Sequence, residues 1–212
     1  MDSADFETIK ILIQEAYASR DAAIAFESNC NRKCIVAPGF PILWFGDLDA
    51  FLKKSSNERA VTIGVNPSGK ELTRHKSGGF IRFPDISATE VIDSRAYIKA
   101  MNSYFRSGKY LAWFKKGMDK IPFNYEDGSL IHIDCCSTIA TKPTWSGLCV
   151  SMQTRLKNDN KPIFEKLLLT LNPSTVFIAS NKAEKAYIEQ CCQRILKLGN
   201  SQISYIPKYK QQ

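Results

Sequence analysis

The chain has 212 residues, of which 44% are hydrophobic and 24% charged, values that exclude a disordered chain and suit one soluble globular domain. Its apolar runs are shorter than the ~18 residues that cross a bilayer, and its first residues lack a signal-peptide pattern, so we expect a cytoplasmic protein with no membrane partner. The formal charge of +8 is spread along the chain and favours a polyanionic partner.

Hydrophobic periodicity and turn residues predict alternating helices and strands. The predicted helices are 6–26, 47–54, 87–106, 110–120, 161–171 and 181–198. The predicted strands are 60–65, 130–134, 175–179 and 203–206, with a short edge strand at 42–45. This alternation predicts an α/β fold: a three-layer α/β/α sandwich around a mostly parallel, four-stranded sheet. We expect a single domain over 1–212, with the N-terminal helical segment 1–40 packed on it.

The loop after the first predicted core strand is the most informative one, because ligands of parallel sheets bind beyond the carboxyl ends of the strands. It reads Asn66-Pro67-Ser68-Gly69. The proline forces an extended backbone at Asn66, and the Ser-Gly turn leaves backbone N–H groups free for a phosphate or a base oxygen. The Asn66 amide can also hold a water molecule. An ordinary turn is the competing interpretation, since these are the commonest turn residues.

Basic and aromatic residues are interleaved in the rest of this loop. Such a mixture suits a nucleic-acid surface, where cations pair with phosphates and rings stack on bases. Of Phe80 and Phe83, we expect one to pack in the core and the other to line a pocket. Contacts to DNA phosphates are assigned to basic residues of this loop and of later segments: Arg74, Lys76, Arg82, Lys142, Lys182 and Lys208.

The strand 130–134 carries two further candidates. Strand alternation puts His132 and Asp134 on the same side, with Asp134 at the carboxyl end. There Asp134 could accept a hydrogen bond from a base amino group or position water, although a turn cap for the next residues is the competing interpretation. For His132 the competing interpretation is a buried, hydrogen-bonded core histidine.

The seven cysteines are an odd number in a chain that we expect to be cytoplasmic, which argues against a disulfide framework. Four of them, Cys30, Cys34, Cys136 and Cys149, could in principle make a four-thiolate iron–sulfur site. Their spacing is loose, so we expect no cofactor, with the cluster kept as an alternative. Phosphate-binding glycine motifs and a nucleophile-elbow motif are absent from the sequence.

Taken in order, these motifs resemble the uracil-DNA glycosylase superfamily over roughly residues 40–207. Gly64-Val65-Asn66-Pro67-Ser68 is similar to its Gly-x-(Asn or Asp)-Pro motif, and closest to the Gly-x-Asn-Pro-Gly version of the mismatch-specific and single-strand-selective branches. Segments 134–145 and 171–179 also resemble members of the superfamily, the first of them an uncharacterised bacterial branch of glycosylase-like proteins. The resemblance implies a four-stranded parallel sheet between helices.

The resemblance also implies roles for single residues. Asn66 would position the attacking water, and Asp134 would stand where the superfamily has a base-reading Asn, which makes these two the catalytic candidates. Phe83, with Phe80 in reserve, would stack on a flipped base. The other candidates for base binding are the residues of the motif and one residue of the second strand: Gly64, Val65, Pro67, Ser68 and His132.

Two departures from the superfamily bear on the substrate. Its last motif contains a His that supports the leaving base, whereas this chain has Tyr205-Ile206-Pro207-Lys208 at that place. A carboxylate at Asp134 suits an exocyclic amino group, as on cytosine or a modified cytosine, better than the O4 of uracil. The sequence therefore predicts a monofunctional, monomeric DNA glycosylase that removes a modified or mispaired base, for example a hypermodified cytosine in defence against phage DNA. The alternatives are a non-catalytic nucleic-acid-binding module and a nucleoside hydrolase.

Overall fold

The structure is a computed structural model that describes residues 1, 3–28, 33–76, 78–84, 86, 93–106, 108–110, 114, 121–180 and 182–206. Its strands are β1 (Ala60–Gly64), β2 (Leu130–Asp134), β3 (Thr175–Ile178) and β4 (Ile203–Tyr205). Its α-helices are α1 (Ser3–Glu27), α2 (Leu48–Lys53), α3 (Ser94–Asn102), α4 (Val150–Leu171) and α5 (Lys182–Leu196).

The strands form one sheet in the order β2-β1-β3-β4, and every neighbouring pair is parallel. The predicted α/β fold is confirmed. The chain moves from β1 to β2 in one direction across the sheet and then from β2 to β3 and β4 in the opposite direction. Right-handed crossovers therefore put α3, which connects β1 and β2, on one face of the sheet and put α4 and α5 on the other. With both faces covered, all five residues of β1 and of β2 are buried.

Helix α1 packs against α4. Its apolar residues Ile9, Leu12 and Ala16 recur at helical spacing and are fully buried. An ion pair between Lys166 and Glu15 joins the two helices at their surface. The N-terminal helix is thus part of the layer that covers one face of the sheet.

Helix α4 begins at Val150, eleven residues before the predicted start at 161. Pro162 lies inside it and removes the backbone hydrogen bond to the Asn158 carbonyl, which is a local cost to the helix. The helix persists because its inner face is buried along both halves, at Met152, Leu156, Asn160, Ile163, Phe164, Leu167, Leu168 and Leu171.

Three other predictions concern element boundaries. Residues 42–45 do not form a strand; only Phe45 makes a bridge, antiparallel to His132. Helix α2 is capped as predicted, because the Asp47 side chain accepts a hydrogen bond from the Ala50 N–H. Helix α3 begins at Ser94 with Asp93 as its cap. The predicted capping box at 87–90 lies outside the described residues, and so do residues 111–113 and 115–120 of the predicted helix 110–120.

Candidate active site

The loops after β1 and β2 start side by side at the carboxyl edge of the sheet. Gly64 and Asp134 are register partners. Backbone pairing continues beyond the strands, with Cys135 N donating to Gly64 O at 3.1 Å and Cys136 N donating to Val65 O at 2.9 Å. The two loops that carry the sequence-predicted candidates are therefore fixed relative to each other by backbone hydrogen bonds.

Gly64 has no room for a side chain. A Cβ at this position would lie 2.4 Å from Asp134 Oδ1 and 2.9 Å from His132 Nε2. The requirement for glycine is thus steric and not conformational: the carboxylate and the imidazole occupy the space above its Cα. This contact explains why the first residue of the motif has to be glycine in this chain.

The Asn66 side chain is held in one orientation. Its Nδ2 donates to Thr141 Oγ1 at 2.9 Å and to Pro67 O at 3.0 Å. Thr141 is itself fixed, because its carbonyl accepts from Gly69 N at 3.1 Å. With both amide hydrogens engaged, Oδ1 is aimed in a defined direction and accepts no hydrogen bond from the part of the chain that the structure describes. Asn66 is half-buried, so this oxygen can accept a hydrogen bond from a water molecule.

A line of polar side chains leads to the Asp134 carboxylate on one face of the sheet. Tyr125 OH lies 2.7 Å from Thr62 Oγ1, which lies 2.8 Å from His132 Nδ1. His132 Nε2 lies 3.5 Å from Asp134 Oδ1, at the long limit of a hydrogen bond. His132 is therefore a buried histidine with a hydroxyl partner, on the same side as Asp134 as the alternation predicts. A proton on Nε2 satisfies this geometry, with the Thr62 hydroxyl donating to Nδ1.

Asp134 is anchored from the opposite face through its backbone. Asn160 of α4 donates from Nδ2 to the carbonyls of Asp134, at 3.4 Å, and Cys135, at 3.1 Å. The Asp134 side chain is only 4% exposed, and Oδ2 has no hydrogen bond from the described residues. A carboxylate that is buried with an unused oxygen has the capacity to accept a hydrogen bond from a ligand.

A second buried carboxyl, Glu71, lies in the same loop as Asn66 and was missed in the sequence. It is 1% exposed, and its Oε2 accepts a hydrogen bond from Tyr104 OH at 2.6 Å. Burial raises the pKa of Glu71 to about 7, against the lowering effects of the Tyr104 hydrogen bond and the Arg82 charge, and the charge of Asp134 raises it further. In the sequence Glu71 follows Lys70 in a polar loop, and nothing there distinguishes it from a solvated residue.

The aromatic residues of the loop do not line an open pocket. Phe80 and Phe83 are each 1% exposed, and both pack against the edge of Phe40, with ring centroids 5.3 and 5.1 Å away. Phe83 also packs on Tyr104 at 5.3 Å. The expectation that one of the two rings faces a ligand is corrected: both are core residues, because the loop folds back over the sheet.

The basic candidates divide into three groups. Arg74, Lys76 and Lys142 are exposed, as a phosphate contact requires. Arg82 is not available: its side chain is 17% exposed, its Nε lies 3.7 Å from Glu71 Oε2, and it donates to Lys70 O, so its prediction as a DNA contact is corrected. The Lys182 side chain and all of Lys208 lie outside the described residues.

The structure describes three of the four cysteines that the sequence suggests for an iron–sulfur cluster. Cys30 lies outside the described residues, Cys34 and Cys136 are buried, and Cys149 is exposed. Within the described ranges, no group of three His, Cys, Asp or Glu side chains could hold a metal ion. Cys136 Sγ instead lies 3.5 Å from Cys135 Sγ, directly after Asp134.

In this site Asn66 can orient a water molecule and Asp134 can accept a hydrogen bond. Glu71 supplies a carboxyl that is partly protonated at neutral pH.

A cleft of about 870 Å³ lies elsewhere on the protein, and its lining, which includes Asp49, Arg95 and Lys99, contains none of these three residues.

Searches of protein-family models, curated proteins and solved structures find no match to this chain. Among the residues described, no helix combines the length and apolar character needed to cross a membrane.

Proposed function

We propose that this protein is a DNA glycosylase that hydrolyses the N-glycosidic bond of a flipped-out base and leaves an abasic site. The observation that carries the proposal is the Asn66 amide, whose Nδ2 is locked by Thr141 Oγ1 and Pro67 O while Oδ1 is left to hold water. It stands at the carboxyl edge of a parallel sheet, where ligands of such folds bind. The exposed cations Arg74, Lys76 and Lys142 supply a charged surface for the DNA backbone.

The chemistry requires a base outside the helical stack, because the glycosidic bond is inaccessible inside it. In the proposed mechanism the C1′–N bond breaks with oxocarbenium character, and the water on Asn66 Oδ1 attacks C1′. Holding this water in a fixed direction contributes through orientation. Since Phe80 and Phe83 are core residues, neither ring serves as a stacking platform for the base in this mechanism.

Asp134 supports a base with an exocyclic amino group as the substrate. A carboxylate accepts hydrogen bonds and cannot donate to a carbonyl oxygen unless it is protonated. The amino group of cytosine is a donor, whereas the O4 of uracil is an acceptor. The substrate class proposed is therefore cytosine or a modified cytosine, and a role against modified phage DNA is consistent with that class.

The proposal is tested with a panel of oligonucleotides that carry uracil, cytosine, 5-methylcytosine or 5-hydroxymethylcytosine at one position, in single and double strands. Abasic sites are detected by alkaline cleavage, and free nucleosides are assayed beside them. We expect abasic sites with a cytosine-type base and a shift toward uracil in Asp134→Asn. Binding without cleavage would indicate a non-catalytic module, and cleavage of free nucleosides alone would indicate a nucleoside hydrolase; either outcome contradicts the proposal.

A further inference from the structure

We propose that Glu71 is the proton donor to the leaving base, a catalytic role that rests on the glycosylase function proposed above. The departing base carries negative charge unless a proton reaches it, so a positioned acid in the site would speed the step. Glu71 is a buried carboxyl in the Asn66 loop, and its cation partner, Arg82 Nε, lies 3.7 Å from Oε2, beyond hydrogen-bonding distance.

The backbone brings Glu71 back toward the sheet. Glu71 N donates to Ser68 O at 2.9 Å, which closes a turn directly after the Asn66-Pro67 step. Its Oε2 accepts a hydrogen bond from the Tyr104 hydroxyl at 2.6 Å. The Tyr104 ring packs 4.8 Å from Phe45, which packs 5.6 Å from His132, so Glu71 lies on the side of the sheet that carries His132 and Asp134.

One carboxyl oxygen remains for a ligand. Both contacts that the structure gives to the Glu71 carboxyl, the Tyr104 hydroxyl and the Arg82 guanidinium, involve Oε2. Oε1 has no hydrogen bond from the described residues. A carboxyl held by one oxygen, with the other unused, is oriented and still able to pass a proton.

The charges around Glu71 set its protonation. The residues that act on it are Asp134 from the end of β2, Arg82 from its own loop and the Tyr104 hydroxyl after α3. Burial outweighs the two lowering influences, and the pKa of Glu71 is raised to about 7. A general acid works best when its pKa is near the operating pH, because it then holds a proton that it can also release.

The proton and electron balance of the step is complete without a cofactor. The C1′–N bond breaks and its electron pair passes to the base, while the proton on the Glu71 carboxyl moves to a ring nitrogen or carbonyl oxygen of the base. The water on Asn66 forms the C1′–O bond. The proton that this water releases returns to the Glu71 carboxylate.

The experiment measures single-turnover excision against pH on the best-cleaved member of the oligonucleotide panel, for the wild type, Glu71→Gln and Tyr104→Phe. We expect the wild-type rate to fall as the pH rises through about 7. Glu71→Gln should be about 10²–10⁴-fold slower and should lack this fall. Tyr104→Phe removes a hydrogen bond that lowers the pKa of Glu71, so the fall should move to higher pH.

5-Fluorocytosine, or 5-fluorouracil if uracil is the best substrate, separates proton donation from support of the fold, since a more acidic leaving base needs less protonation. Excision by Glu71→Gln should be restored in part on this substrate. A wild-type rate and pH profile in Glu71→Gln, or an equal loss on both substrates, would overturn the role of Glu71 and leave the glycosylase function standing. If the wild type excises no member of the panel, the proposed function fails and the role of Glu71 fails with it.

Discussion

The Asp134 carboxylate lies over the Cα of Gly64, its register partner at the carboxyl edge of the sheet, in the space that a side chain at position 64 would occupy. One substitution therefore tests whether this packing matters for activity. In Gly64→Ala the new methyl group meets Asp134 Oδ1 at 2.4 Å and the His132 ring at 2.9 Å. Both side chains have to move, so we expect excision to be lost and the protein to be destabilised by about 1–3 kcal/mol.

Gly199→Ala is the matched control, because among the described residues a Cβ there meets only the end of the Gln202 side chain, at 3.8 Å. Urea unfolding and single-turnover excision are measured on both variants. Equal behaviour of Gly64→Ala and Gly199→Ala would show that the contact between positions 64 and 134 has no influence on the site.

Thr141→Val tests the orientation of Asn66. The variant keeps the shape of the side chain but removes the Oγ1 that accepts from Asn66 Nδ2 at 2.9 Å. A typical hydrogen bond contributes about 1 kcal/mol, so we expect a loss of roughly five- to tenfold in excision with DNA affinity unchanged. Thr170→Val is the control, because among the described residues its hydroxyl bonds only to Lys166 O, one turn earlier in α4. Loss of affinity instead of rate would mean that Thr141 contacts the DNA itself.

Glu71→Gln should change how stability depends on pH. The raised pKa means that, between the ordinary value of 4.5 and about 7, the folded chain keeps a proton that the unfolded chain has released. Stability must therefore fall as the pH rises through this window, by about 3 kcal/mol in total. Glutamine does not ionise, so the variant should lack this fall. Urea unfolding of both proteins at about pH 5 and about pH 8 measures the difference; parallel losses in the two proteins would refute the raised pKa.

Lys142→Ala tests the nucleic-acid surface beside the site. Lys142 is exposed and directly follows Thr141, the hydrogen-bond partner of Asn66. If it neutralises one phosphate, the slope of log K against log salt should fall in magnitude by about one. Lys53→Ala is the control, because Lys53 is also exposed but lies far from Asn66 along β1. Its neighbour Leu52 accepts a hydrogen bond from Arg59, which precedes the amino end of β1, whereas Asn66 follows the carboxyl end. An equal effect of both substitutions would indicate diffuse attraction and not a defined surface.

The buried strands could be predicted from the sequence, because each of them is a short apolar run that ends at polar residues. Ala60–Gly64 and Leu130–Asp134 were predicted within one residue, because a parallel strand covered on both faces has to be apolar along its length. The start of α4 could not be predicted in the same way. Pro162 is a local signal against a helix, and the packing of Met152 and Leu156 that outweighs it is visible only in three dimensions.

Part of the candidate site was also predictable, because its signals are local. Gly64 and Asn66 belong to one motif, and strand alternation places His132 beside Asp134. Thr141 and Glu71 carry no such signal, since their roles depend on partners 75 and 33 residues away in the chain. The assignment of Phe83 was wrong for the same reason: its packing partners, Phe40 and Tyr104, lie in distant segments.

Asn66→Ala tests the central claim most directly. The wild type and the variant are compared on the best-cleaved oligonucleotide, with abasic sites and DNA affinity measured on the same samples, and exposed Asn57→Ala serves as the control. If Asn66 holds the attacking water, its variant should lose about 10²-fold or more in excision rate while DNA affinity stays within about twofold and Asn57→Ala behaves as the wild type. Excision by Asn66→Ala at the wild-type rate would contradict the account.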